Sequence, residues 1–256
     1  MLLAIDVGNT NIVIGVFRGE TLAHSWRLTT IRERTSDELG ILLTDLCNRH
    51  EIRHSEISGI VIASVVPPLT GTMVKMVSEY FGRVPLLFEP AVNAGIPVLI
   101  DNPAEVGADR VVNAIAAHAS YGTGLPIIVI DFGTATTFDA VSAKGEYLGG
   151  VICPGPQVSA DALVQRTAKL PRIDVRKPAR VIGTNTIGAM QSGLFWGYVD
   201  MVEGLVRRMK AELGGAAVVV ATGGLASVVA PESASINHVD EELTLRGLRL
   251  VWERRS

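Results

Sequence analysis

At 256 residues, 48% of them hydrophobic and 19% charged, the chain is long enough to bury a sizeable core and too apolar to be disordered. A formal net charge of −3 excludes a general nucleic-acid binder, because no basic surplus exists to neutralise backbone phosphates. Cys47 and Cys153 are too few and too far apart for a metal knuckle or a disulfide framework, and no apolar run reaches the roughly 18 residues of a membrane span, so the expected setting is a reducing cytoplasm with two inert buried thiols and neither membrane nor secretion.

In chain order, Leu2 to Ile5 and Ile12 to Phe17 are β-prone runs on either side of Asp6-Val7-Gly8-Asn9-Thr10-Asn11. Two such runs around a tight polar turn predict a hairpin, and the turn has the chemistry of a phosphate site. Gly8 allows close backbone approach, Asn9, Thr10 and Asn11 offer donors, and Asp6 at the strand end can hold a hydrated Mg²⁺. Taken alone, an Asp-x-Gly turn is as compatible with a plain turn. Leu22 to Leu28 follows as a third strand. Thr35-Ser36-Asp37-Glu38 has the form of a capping box, with Leu39, Leu42, Leu43 and Leu46 at helical spacing behind it. Gly59 to Val66 reads as a strand covered on both faces, Pro67-Pro68 as a helix start, and Val84 to Phe88 as a strand. The first half is therefore β-β-β-α-β-α-β, a mixed sheet flanked by helices.

Glu89 to Arg110 is rich in chain breakers (Pro90, Gly95, Pro97, Asn102-Pro103) and reads as a connecting segment on which two domains can hinge. It ends in Glu105 to Arg110, expected as the start of one continuous helix running to Tyr121. Asp109 and Arg110 then fall in its first turn. They are either an acidic residue favoured by the helix dipole beside a solvated Arg, or a general base with an Arg that orients it or meets an anion.

Ile127 to Ile130, Asp131-Phe132-Gly133-Thr134-Ala135-Thr136-Thr137 and Phe138 to Val141 then repeat the opening hairpin, with the second Asp 125 residues after the first. The recurrence implies a duplicated unit, divided at 1–118 and 119–256. Its two turns are expected to face each other across an interdomain cleft and grip a polyphosphate, with the N–H groups of Gly8 and Gly133 meeting the charge. Gly145 to Ile152 is a third strand, Pro154-Gly155-Pro156 a helix start, and Thr186 to Leu213 a long helix. Gly188, Gly193 and Gly197 allow close packing of that helix, at a subunit interface or in the core. Ala216 to Ala221 leads into Thr222-Gly223-Gly224, a glycine turn at a strand's carboxyl end where a ribose or adenine can lie flat, and Glu242 to Trp252 closes the chain as a helix.

Four of these elements together carry a family resemblance: Asp6-Val7-Gly8-Asn9-Thr10, Asp101-Asn102-Pro103-x-Glu105-Val106-Gly107-Ala108-Asp109-Arg110, Asp131 to Thr137, and Thr222-Gly223-Gly224. In this order over the whole chain they resemble type III pantothenate kinase. The resemblance implies two duplicated ribonuclease-H-like (actin-like ATPase) domains, a homodimer, and ATP-dependent phosphorylation of pantothenate with Mg²⁺ and a monovalent cation, K⁺ or NH₄⁺. Carried over by position, it implies nucleotide contacts at Asp6, Val7, Gly8, Asn9, Thr10, Asn11, Ile12, Val13 and Thr134. It implies pantothenate contacts at Gly107, Ala108, Asp109, Arg110 and, across the dimer, Thr184. Asp109 would be the base and Asp131 the carboxylate that holds the monovalent cation. Many relatives carry Tyr just before the Asp-Asn-Pro element, where this chain has Ile100. No Gly-x-x-x-x-Gly-Lys-Ser/Thr phosphate loop occurs. Two other readings share the Asp-x-Gly turns: a different small-molecule kinase of the same superfamily, and a nucleotide-binding regulator that kept the fold.

Overall fold

A computed structural model describes residues 1–255, which form two units, residues 1–116 with 244–255 and residues 117–243. The first unit opens with β1 (Leu2–Val7), β2 (Asn11–Arg18) and β3 (Thr21–Thr29), an antiparallel meander. Helix α1 (Ser36–Arg49) leads to β4 (Gly59–Ser64), and α2 (Pro67–Phe81) to β5 (Leu86–Leu87), so that β4 and β5 add in parallel and the sheet order is β3-β2-β1-β4-β5. The capping box predicted at Thr35 is present. Thr35 Oγ1 accepts the Glu38 N–H at 3.2 Å, and the Thr35 N–H donates to Glu38 Oε2 at 2.8 Å.

Alternate residues of the hairpin fix its faces. Leu3, Ile5 and Val7 of β1 and Ile12, Ile14 and Val16 of β2 point into a core closed by Leu39, Leu43 and Cys47 of α1 and Met73, Met76 and Val77 of α2. Asp6 and its partner Val13 stand on the opposite face. The predicted strand at Val84 shrinks to Leu86–Leu87, because it is an edge that pairs only with Val61 and Ile62, and Val84 is 89% exposed. Short helix α3 (Pro90–Asn93) and a 3₁₀ turn at Pro103–Glu105 precede α4 (Ala108–Tyr121), within which the unit boundary falls.

The second unit repeats the plan with β6 (Ile127–Phe132), β7 (Ala135–Val141) and β8 (Tyr147–Pro154), then α5 (Pro156–Arg166), α6 (Thr186–Glu212), β9 (Val218–Gly223), α7 (Ala226–Val229) and β10 (His238–Val239). Read from the meander edge, its sheet runs β8-β7-β6-β9-β10, the same order and the same parallel and antiparallel pairings as the first. Ile128, Ile130, Phe132 and Phe138 meet Phe195, Val199, Val202 and Val206 of α6 in its core. Helix α6 starts where its sequence signals put it, with Asn185 Oδ1 accepting the Gly188 N–H at 2.8 Å. Gly193 and Gly197 have no neighbour within 4 Å of a built Cβ among the described residues, so they are not packing contacts within the chain.

The last helix, α8 (Leu243–Arg254), groups with the first unit, although the sequence division at 118/119 put it in the second half. The reason is steric fit. A Cβ on Gly15 would meet Leu245 at 2.9 Å, one on Gly59 would meet the Trp252 ring at 1.9 Å, and one on Gly247 would meet the Val112 carbonyl oxygen at 2.3 Å. Three glycines thus let α8 lie on the Asp6 face of the first sheet and against α4. Of the two cysteines, Cys47 is buried and burial pushes its thiol up to about 11, while Cys153 is only half-buried, which corrects the expectation of two buried thiols.

Candidate functional site

In the first unit the turn after β1 is tied closed from two directions. The Gly8 N–H donates to the Asn11 carbonyl at 3.0 Å, and Thr30, at the end of β3, donates its hydroxyl to the Gly8 carbonyl at 2.7 Å and its N–H to the Thr10 carbonyl at 2.9 Å. Val7 and Ile12 are fully buried, Asp6, Gly8, Asn11 and Val13 are half-buried, and Asn9 and Thr10 are exposed at the tip. Two core residues therefore anchor a polar tip that faces water.

The segment that carries Asp109 reaches the same end of the sheet. Val65, the residue after β4, donates its N–H to the Val7 carbonyl at 3.0 Å, and a Cβ built on Gly107 lies 3.6 Å from Val65 Cγ1. Residues 6–8 and 107–110, about a hundred positions apart in sequence, are brought together through Val65. Gly107 also makes room for the carboxylate, because a Cβ there would stand 2.6 Å from Asp109 Oδ1. Asp109 Oδ1 accepts the Arg110 N–H at 2.8 Å. Burial pushes the Asp109 carboxyl above the usual carboxylate range, against the lowering pull of that N–H and of the Arg110 charge. Arg110 is half-buried beside it, and Ala108 is buried.

The expected continuous helix from Glu105 is absent. Asn102 Oδ1 accepts the Ala104 N–H at 3.2 Å to cap the separate 3₁₀ turn, and Val106 is extended at φ −75° and ψ 134°. The break moves the helix start to Ala108, with the Gly107 carbonyl taking its first bonds from Arg110 and Val111. Asp109 thus lies at the very start of a helix.

In the second unit the turn after β6 has glycine walls. A Cβ on Gly155 would lie 2.3 Å from the Thr134 carbonyl oxygen and 2.5 Å from that of Gly133, and the Gly155 N–H donates to the Thr134 carbonyl at 3.0 Å. Gly223, at φ +89°, would place a Cβ 2.4 Å from Asp131 Oδ1, and the Gly224 N–H donates to the Phe132 carbonyl at 3.1 Å. Only glycine fits either place. Parallel pairing of Asp131 with Thr222 sets the Thr222-Gly223-Gly224 element beside the carboxylate. Thr134 is exposed at the tip and Asp131 half-buried behind it.

Both glycine N–H groups expected to meet phosphate charge are otherwise engaged. Gly8 closes its hairpin on Asn11, and Gly133 closes its own on Ala135 at 3.1 Å, since a tight turn uses its own donor. Thr184 is exposed, one residue before the N-cap of α6. Thr30 and Val65, which hold the first site together, were not singled out by the sequence; a Thr one residue past a strand end and a Val after an apolar run carry no local signal. Among the described residues no three His, Cys, Asp or Glu side chains are grouped to hold a metal, and no helix is long and apolar enough to cross a membrane.

Two sheets of one topology, each with an Asp one residue from the end of its first strand before a polar turn, define a duplicated ribonuclease-H-like fold, that of sugar kinases and actin-like ATPases. The inorganic polyphosphate/ATP-glucomannokinase of Arthrobacter sp. strain KM has this fold, matching with a TM-score of 0.53 at 14% identity over 99% of each chain. A family model described as Type III pantothenate kinase matches residues 2–208. A Type III pantothenate kinase of Moorella thermoacetica is 52% identical over 256 residues, the full length of both chains. One of Myxococcus xanthus is 55% identical over 254 residues, 99% of this chain and 98% of its own. The chain belongs to the type III pantothenate kinase family.

Proposed function

We propose that the chain transfers the γ-phosphoryl group of ATP to the 4′-hydroxyl of pantothenate, the first step toward coenzyme A, in the cytoplasm. Family membership over the full length supports this reading. The observation that carries it in the molecule is the seating of Gly107 to Arg110 on Val65, which joins a carboxylate of raised proton affinity to the strand end that bears Asp6.

Phosphoryl transfer asks the protein for alignment and charge neutralisation rather than covalent work. In this reading Asp109 accepts the proton of the attacking hydroxyl, and burial, which raises its proton affinity above that of an ordinary carboxylate, makes it a stronger base. Arg110 meets the pantothenate carboxylate, with Gly107 and Ala108 lining that site. Asp6 to Val13 and Thr134 hold the nucleotide through the side chains of Asn9, Thr10 and Thr134 and through backbone, since Val7 and Ile12 are in the core. The open, polar tips and the glycine cradle at Asp131 suit a hydrated polyanion with its cations. Mg²⁺ held by Asp6 and the phosphates would neutralise charge on the transferring group, as expected of an ion that takes few protein ligands. Asp131 holds the monovalent cation, K⁺ or NH₄⁺. A homodimer belongs to the same reading: Thr184 lies among the exposed apolar residues Val181, Ile182 and Ile187, and Gly193 and Gly197 leave the face of α6 open.

The test is ADP release from ATP and Mg²⁺ with and without pantothenate, in K⁺ or NH₄⁺ and in Na⁺ alone. Pantothenate-dependent release that needs K⁺ or NH₄⁺ is the expected result. No release above background under any cation would sink the kinase reading and favour a nucleotide-binding regulator.

A further inference from the structure

The face of the second sheet that carries Asp131 continues as a row of polar side chains. Asp131 pairs with Thr137 across β6 and β7, so the two side chains stand together on that face. Thr137 Oγ1 donates to Asp139 Oδ2 at 3.1 Å, and the Tyr147 hydroxyl donates to Asp139 Oδ1 at 2.7 Å. Asp139 and Tyr147 are buried, whereas Asp131 and Thr137 are half-buried. The row therefore runs from an accessible end to a closed one. Gly150 stands opposite Asp139 on β8. The first sheet has no such row: Val13 faces Asp6, and Gly15 lies under Leu245.

We propose that Thr137 is a second oxygen ligand of the monovalent cation at Asp131, and that Asp139 is the positioning residue that turns its hydroxyl to this use. The proposal rests on the reading of Asp131 as the cation carboxylate. A hydroxyl has one hydrogen and two lone pairs. With its hydrogen committed to Asp139, Thr137 Oγ1 offers the space beside Asp131 only lone pairs, which a cation attracts. Without Asp139 the same hydrogen is free to swing to the Asp131 carboxylate and compete with the ion for it. Tyr147 holds Asp139 in place from the buried side, so the hydrogen-bond direction is set from the core outward.

Thermal unfolding of the full chain with Mg²⁺ and a non-hydrolysable ATP analogue, titrated with K⁺ in exchange for Na⁺ at constant ionic strength, reads cation binding apart from turnover. The K⁺ midpoint for activation is measured beside it. Thr137→Val and Asp139→Asn are each expected to raise both midpoints by about 10-fold, the effect of one interaction with a charged partner. Thr137→Ser, which keeps the hydroxyl, restores a midpoint near that of the wild type. Should Asp139→Asn not fold, the Thr137→Val and Thr137→Ser pair decides alone. A K⁺ midpoint unchanged in Thr137→Val overturns the proposal, as does an Asp139→Asn variant equally destabilised at every K⁺ concentration. A wild type that responds alike to K⁺, NH₄⁺ and Na⁺ instead removes the cation reading of Asp131 and the proposal with it.

Discussion

The two sheets share strand order, pairing and an Asp at the end of the first strand, yet they treat that Asp differently. In the first unit Asp6 faces Val13, its turn is pinned by Thr30, and a loop from a distant part of the chain seats Gly107, two residues before Asp109, on Val65. In the second, Gly223 makes room for Asp131 and Gly155 for the turn carbonyls, and Asp131 begins a polar row that ends in the buried Asp139. The turns differ in length as well: four residues separate the pair Val7 and Ile12, and three separate Phe132 and Thr136. A duplicated scaffold has kept its backbone pairing and divided its chemistry. Acceptor activation is proposed for the unit with the raised carboxyl, and cation binding for the unit with the rigid cradle.

The largest effect expected from testing that division falls on the first unit. Asp109→Asn should lower kcat by about 10²-fold or more while nucleotide binding persists; near-normal turnover would remove Asp109 from the mechanism. Its pH dependence has a defined sign. Burial raises the folded-state value above the unfolded one, so activity that needs the ionised base is lost as pH falls through a value above the ordinary carboxylate range. The stability that the protonated carboxyl contributes is complete below the unfolded value and is lost as pH rises through the folded one. Asp109→Asn should therefore unfold at pH 7 no earlier than the wild type in a thermal scan, which separates loss of chemistry from loss of fold.

In the second unit the cradle is the vulnerable part. Gly223→Ala would force a side chain into positive φ and against Asp131, and should cost about 1–3 kcal/mol in urea unfolding together with most of the activity. In the turn of the first unit, Gly8→Ala meets only the Asn11 carbonyl oxygen at 3.0 Å without a positive φ, and should cost less than about 1 kcal/mol. Equal costs would mean that the glycine beside Asp131 is no more constrained than the turn after β1. The smallest effect is expected for Thr30→Val. Losing the hydroxyl that donates to the Gly8 carbonyl should cost about 1 kcal/mol in the urea midpoint and raise the KM for ATP more than it lowers kcat.

By itself the sequence determined what depends on neighbours along the chain. Apolar β-prone runs on either side of the polar turns at Asp6 and Asp131 specified both hairpins, Thr35 with Glu38 specified a helix start, and the run from Thr186 specified α6 almost to the residue, because turn, strand and cap chemistry act within a few positions. The repeat of Ile-Asp-x-Gly announced the duplication, and the four motifs in order announced the family. Tertiary structure decided what depends on residues far apart. It broke the helix expected at Glu105, since Val106 must run extended for Gly107 to reach Val65 and leave Asp109 its space. It cut the edge strand to Leu86–Leu87, returned α8 to the first unit through three glycines, and engaged the Gly8 and Gly133 donors inside their own turns. It also made Thr137, Asp139 and Tyr147 one connected row, because a shared face follows from pairing register, and register is set between strands, not within them.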